Sequence, residues 1–452
     1  MIRFLTLTAF ALLVGRIVWI ANRPDVDEGR EGVVTVEMCV WGMPFENALY
    51  TDVYIPEFER QNPGIKVKFH HFEDYGNRLR LTFAGGIAPD VMRMSLDSGP
   101  AYIRKGTNLA LDKYIDGPDG IDRKDFIEIL WDGLEFEGKT YGLPQDINII
   151  GLFYNKDLFD KKGLAYPNEN WTWEDLKSAA EKLTEDTDRD GRPEVIGLHM
   201  GWGGYGFRPF LYQAGGRIWN EDKSRTVIDS PEAVRALQYY KSLMTSYSLA
   251  KSDSQRGGLG PDKFFEAGKV AMFMDGSWRS PSLKNNAPKL NFGVAPLPKG
   301  DFAMSISTSC FWGISRGTRH PDAAWKLAKF LSSTPSLIDY WQTLWVAPPA
   351  RWSSLRSEEY RRVTGVGKSV PGIDSEAEFE EKCGWIKKVL ERGWTTIDPT
   401  SPYIAPVMLH LNEAVDRVLL EDADPAEVLK VAAERANRQI AEMRAAEAAT
   451  RR

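Results

Sequence analysis

Apolar residues alternate with period two over 33–41, where Val34, Val36 and Met38 share one face ahead of Trp41, and again over 65–69. Between these stretches, 47–60 carries Leu49, Val53 and Phe58 among its apolar positions and reads as a helix. A second helix is predicted over 78–83, ended by Gly85-Gly86, and a third strand over 89–94. Strands that alternate with helices argue for a mostly parallel, doubly wound sheet. Such sheets take ligands beyond the carboxyl ends of their strands. That places Trp41, Ser95 and Asp97 at a candidate cleft edge. Asp97 has an equal alternative, an Asx turn ahead of Ser98-Gly99.

The pattern changes at 141–163. Tyr141-Gly142-Leu143-Pro144 is a strand ending at a proline, which cannot donate to a ladder. Asp146 follows the break, and 147–154 is an apolar run of buried-strand length. A short segment then stops at Gly163, in the position of a helix-terminating glycine. A strand, a break with an acid at it and a second strand fit either a hairpin or a crossover between two lobes. Downstream, Thr172 and Asp175 form a short capping box before Leu176, Ala179, Ala180 and Leu183 at helical spacing. The run 201–206, Gly-Trp-Gly-Gly-Tyr-Gly, reads as a turn where backbone could approach a ligand beside Trp202 and Tyr205, or as a glycine-rich turn with packed aromatics. Helices are predicted over 207–214, from Pro231 through Met244, over 261–267, from Pro321 through Leu331, over 332–344, 407–420 and 425–443. Strands are predicted over 270–274, 291–297, 305–309 and 311–314, the last two returning to the first lobe. The stretch 353–397 reads as helix and loop.

At 452 residues the chain is long enough for two to three domains. A net charge of −6 gives no electrostatic case for nucleic acid. Fifteen tryptophans can be core, but many tryptophans in turn-rich stretches more often mean a ligand surface, because sugars stack on aromatic faces. Cys39, Cys310 and Cys383 have no metal-ligand spacing and leave one thiol unpaired in any bridging scheme. The first 21 residues carry Arg3 before an apolar run interrupted by Arg16, which reads as a secretory signal or an uncleaved anchor, with 22–32 a charged linker. Export follows in either case.

Little else suggests catalysis. No nucleophile elbow, zinc helix or paired-cysteine motif is present. Asp97 and Asp146 could serve as the two carboxylates of a glycosidase. The loop 186–197 imitates a calcium site through Asp186, Asp188 and Asp190, but its twelfth position is Gly197 in place of the bidentate glutamate. It therefore reads as structural, with calcium the lesser alternative.

Five further segments occur in a fixed order: Ala84-Gly85-Gly86-Ile87-Ala88-Pro89-Asp90-Val91, Trp171-Thr172-Trp173-Glu174-Asp175-Leu176, Gly268-Lys269-Val270-Ala271-Met272-Phe273, Gly293-Val294-Ala295-Pro296-Leu297-Pro298 and Asp322-Ala323-Ala324-Trp325-Lys326-Leu327. With the break at 141–163, they make the chain from about residue 33 to 440 resemble the extracellular solute-binding proteins of carbohydrate ABC transporters, the maltose-binding-protein superfamily. The resemblance implies an α/β, two-lobed type II periplasmic-binding-protein fold, each lobe a doubly wound mixed sheet flanked by helices, with three hinge crossovers. The expected division is 33–145 with 301–346, and 146–300 with 347–443, preceded by 1–32 and followed by a frayed 444–452. It implies an exported, monomeric, non-enzymatic component of an ABC importer, without a cofactor. That component would capture a sugar or oligosaccharide by hinge closure and deliver it to a membrane permease. A receptor for a sensor or chemotaxis system is the alternative. The expected sugar contacts are Trp41, Trp202, Gly203, Tyr205 and Trp278 as walls, and Asp97 and Asp146 as hydroxyl acceptors, with Ser95 and Arg351 as lesser candidates. Met408 stands where the family has a stacking tryptophan, so the maltodextrin subsites are not expected here.

Overall fold

The computed structural model describes residues 32–188, 193–201, 203–247, 261–365, 370–397, 401 and 403–450. Residues 1–31, which include the stretch expected to be a signal or anchor, lie outside the described residues, as do Asp190 and Trp202. The chain divides into two compact units. One comprises the described residues up to Arg123 with Leu134–Gln145 and Cys310–Leu337; the other comprises Lys124–Gly133, Asp146–Ser309 and the residues from Ile338 onward.

The first unit is built on a five-stranded sheet in the order Ile65–His71, Val34–Val40, Val91–Ser95, Cys310–Ile314, Leu143–Pro144. The first three strands run parallel, with Val36 opposite Val67 and Met38 opposite both Phe69 and Val91. Cys310–Ile314 is antiparallel to both neighbours. Of the face read from the alternation, Val36 and Met38 are fully buried and Val34 half-buried; Val40 is fully buried too, as are Ala324 and Ala328 on the helix Pro321–Leu331. Cys39 lies in the same layer, and burial pushes its thiol up to about 12, so it packs as an inert small residue.

The first helix departs from expectation. It begins at Pro44, in the first-turn position proline tolerates, and passes through a π-turn at Tyr50–Tyr54 before resuming at Ile55–Gln61. The wider turn rotates the apolar face. Tyr50, Tyr54 and Phe58 are buried, and Val53 is 46% exposed.

In the second unit the strands run in the order Thr395–Ile397, Ser305–Thr308, Asn148–Asn155, Val270–Gly276, Ile196–His199, with Phe292–Ala295 also pairing Asn148–Asn155. All eight residues of Asn148–Asn155 are buried, which explains the apolar run between its two terminal asparagines. Around the sheet, Trp173–Leu183, Pro231–Tyr247, Ile404–Leu420 and Pro425–Thr450 bury one continuous core that includes Leu176, Leu237, Leu411 and Leu429. The local signals behind these elements are realised. Thr172 Oγ1 and the Asp175 carboxylate exchange hydrogen bonds with each other's amides. Gly163 ends its helix at φ 63°, in the left-handed region.

The chain changes units after Gln145, at the break in 141–163. The strand Ser305–Thr308, expected with the first lobe, lies in the second sheet because Ser307 and Thr308 pair with Ile149 and Asn148. The return therefore falls after Ser309, and residues from Ile338 already belong to the second unit. The excursion Lys124–Gly133 had no signal in the sequence. It is held in the second unit by the bridge between Phe126 and Arg351 and by the Ile127 amide donating to the Ala350 carbonyl.

Candidate functional site

In the first unit, Trp41 and Ser95 stand at the carboxyl ends of adjacent parallel strands, as the strand pattern predicts. The Trp41 ring meets the Tyr75 ring edge-on at 4.8 Å and carries the Arg93 guanidinium 4.9 Å from its centroid. Arg93 Nη1 also donates to the Trp41 carbonyl and to Glu46 Oε1, each at 3.1 Å. The Arg93 and Glu46 side chains are only 4% and 8% exposed, so this is a buried ion pair directly beneath Trp41. Glu46 Oε2 accepts in turn from the Met43 amide at 2.9 Å, and the Tyr75 hydroxyl donates to the Arg93 carbonyl. Ser95 and Asp97 form a local pair: the Ser95 hydroxyl donates to Asp97 Oδ2 at 3.2 Å and accepts from the Asp97 amide at 3.1 Å. Asp97 is exposed, as a hydroxyl acceptor has to be, but the same bonds also serve the turn that leads to Ser98-Gly99.

In the second unit the expected residues separate into two groups. Asp146 is 1% exposed and sits where three backbone segments meet: its carbonyl accepts from Ser309 Oγ at 2.6 Å, it bridges to Pro349, and the Ile147 amide donates to the Pro348 carbonyl. Arg351 is equally occupied. Its Nη1 lies 3.0 Å from Asp125 Oδ2 and its guanidinium stacks 4.0 Å from the Phe126 centroid. Burial acts to raise Asp125, but the Ser353 hydroxyl and amide and then Arg351 outweigh it and hold the carboxyl low. The first role of Arg351 is thus to tie Lys124–Gly133 into the second unit.

Trp278 is different. It follows the strand Val270–Gly276, its ring is partly exposed, and it packs on the edge of the large core. An apolar face held at a strand end is suited to stacking on a pyranose ring. Gly203 and Tyr205, expected in a turn, lie in the helix Gly203–Gln213, which begins four residues before the predicted start. Trp202 lies outside the described residues. Met408 packs against the core of this unit. The acidic loop is held by backbone contacts: Glu185 bridges to Val195, and Glu194 Oε2 accepts from the Thr187 amide at 2.9 Å. Among the described residues no cluster of three or more metal-ligating side chains occurs. A surface groove of about 610 Å³ between Tyr360 and Lys388 holds none of the expected residues.

Residues 46–336 match the family described as bacterial extracellular solute-binding protein. The chain belongs to that family. This solute-binding protein is 24% identical over 360 residues to a maltodextrin-binding protein of Bacillus subtilis, covering 75% of this chain and 78% of that protein. It is 23% identical over 355 residues to a multiple sugar-binding protein of Streptococcus mutans, covering 71% and 76%. Its structure matches an ABC substrate-binding protein of Listeria monocytogenes solved in complex with cycloalternan. That match has a TM-score of 0.77 at 26% identity and covers 90% of this chain and 99% of that one. The solute-binding protein therefore has the two-lobed type II periplasmic-binding fold. Two features of its candidate site went unread in the sequence, the Glu46–Arg93 pair and the Asp275–Arg279 pair. Both left a trace: an arginine inside the apolar strand Val91–Ser95 requires a buried partner, and Asp275 and Arg279 stand four residues apart across a turn.

Proposed function

We propose that this protein is the extracytoplasmic binding component of an ABC importer. It captures a sugar or oligosaccharide, with Trp41, Asp97 and Trp278 as principal contacts, and delivers it to a membrane permease. The family match over residues 46–336 carries this reading. The sugar ligands named for the relatives and the partly exposed Trp278 at a strand end support the carbohydrate class. Sugar hydroxyls donate well to ionised carboxylates, and charge-assisted bonds of this kind are the strong ones. Export to the outer side of the membrane, tethered or free, follows from the same reading, as does action as a monomer without a cofactor.

The test is a thermal-shift screen against mono- and oligosaccharides, followed by calorimetric titration of any sugar that raises the unfolding temperature. A ligand at one hundred times its Kd stabilises the folded state by about 2.7 kcal/mol. A panel of maltose, maltotriose, mannobiose, mannotriose, tagatose and cycloalternan that produces no shift would refute the carbohydrate assignment for those classes.

A further inference from the structure

The residues on both sides of Trp278 are tied to the sheet. The Ser277 amide donates to the Ile149 carbonyl at 3.0 Å, and Ser277 Oγ donates to Asn148 Oδ1 at 3.1 Å. After Trp278, Arg279 Nε donates to Asp275 Oδ2 at 2.7 Å, and Arg279 Nη1 lies 3.5 Å from Asp262 Oδ2. The other oxygen of Asp275 accepts from the Gly276 amide at 2.7 Å. One carboxylate therefore clamps the last strand residue to the first residue of the helix Arg279–Asn286. Burial raises the Asp275 carboxyl, and Arg279 works against that rise. The Trp278 ring lies on the Cα of Gly276: a Cβ at that position would fall 2.0–2.2 Å from ring atoms Cζ3, Cε3 and Cη2. Glycine is needed here for the closeness of the ring, since Gly276 does not have a positive φ.

We infer that Asp275, Gly276 and Arg279 are positioning residues that hold the Trp278 ring in one orientation before a ligand arrives. The clamp restrains the backbone on either side of Trp278, and the missing Cβ provides the seat for its ring. A side chain ordered in advance does not lose that freedom on binding, which is how preorganisation raises affinity. This inference rests on the reading of Trp278 as a sugar contact, and its test separates the two.

Protein labelled with 5-fluorotryptophan gives one fluorine signal for each of the fifteen tryptophans, and Trp278→Phe assigns the one of interest. The ligand-free protein should show a single narrow Trp278 signal. Arg279→Met and Gly276→Ala should broaden or displace it, and Arg279→Lys, which keeps the charge beside Asp275, should restore much of it. Cycloalternan, the ligand in the Listeria monocytogenes structure, serves as the binding probe. Its affinity should fall by up to about tenfold in Arg279→Met, the equivalent of immobilising one side chain on binding, and partly recover in Arg279→Lys. A Trp278 signal in Arg279→Met identical to that of the wild type overturns the positioning role, whatever the affinity does. Unchanged cycloalternan affinity in Trp278→Ala overturns the sugar-contact reading instead, and the fluorine signals still decide whether the ring is held.

Discussion

Glu46→Ala removes the carboxylate from a guanidinium that has almost no access to water. Arg93 Nη1 and Glu46 Oε1 are 3.1 Å apart, with side chains 4% and 8% exposed. At an effective dielectric of about 20, unit charges at such a distance attract by about 5 kcal/mol. The desolvation of both groups offsets most of this in the intact pair, but not once one partner is gone. Truncation at Glu46 should therefore cost about 3–5 kcal/mol of stability. The lost acceptor for the Met43 amide is part of that figure, at about 1 kcal/mol. Urea unfolding followed by tryptophan fluorescence measures the change, with midpoint and slope compared so that altered compactness is not mistaken for altered stability. Glu421→Ala, which breaks an exposed pair with Arg417, is the control and should cost at most about 1 kcal/mol. Replacing Glu46 and Arg93 together by methionine should recover most of the loss, because no buried charge remains. If Glu46→Ala costs no more than the control, the pair is hydrated and the burial argument is wrong. Trp41 adds a second readout: loss of the pair below it should alter the environment of its ring without removing the ring.

Trp278→Ala should weaken sugar binding by about 1–3 kcal/mol, by analogy with bases stacked on aromatic side chains; titration with whichever sugar the screen identifies decides, and a large loss of stability with unchanged affinity would place the ring in the core. Arg351→Ala should lower stability by about 1.5–3 kcal/mol through its bond to Asp125 and leave sugar affinity nearly unchanged; an affinity loss with unchanged unfolding would assign Arg351 to the ligand instead. Burial holds His199 down at about 4 from an ordinary 6.5, so below 6.5 the unfolded chain takes up a proton that the folded chain resists until near pH 4. The stability this neutral imidazole confers is complete above pH 6.5 and is lost as pH falls toward 4; His199→Gln should flatten the dependence of unfolding free energy on pH in that window, and an unaltered slope would contradict the assignment. The loop 186–197 should show no calcium binding tighter than about 10⁻⁵ M by calorimetry, the range of sensor sites; tighter binding would make it a metal site.

Local physics made much of this protein legible in its sequence. Alternation in 33–41 and 65–69 gave parallel strands with Val36, Met38 and Ile65 buried and Val34, Val67 and Phe69 half-buried, since a period of two admits only two faces. Thr172 with Asp175 and Gly163 marked helix ends because capping is settled within a few residues. The ordered segments carried the family because each is a local solution to a turn or a strand end. What the sequence left open depended on partners far along the chain. Ser305–Thr308 is a strand by pattern, but pairing with Asn148–Asn155 and Thr395–Ile397 put it in the second sheet. Lys124–Gly133 became part of the second unit through Ala350, Arg351 and Ser353, more than two hundred residues away. Val53, one of the apolar positions of the first helix, is left exposed beside a π-turn that no periodicity announces. Arg93 and Glu46 are polar residues whose burial makes sense only as a pair. A hydrophobic pattern records which face of an element avoids water; which element meets that face, and which buried charge finds a counter-charge, is decided when distant segments pack.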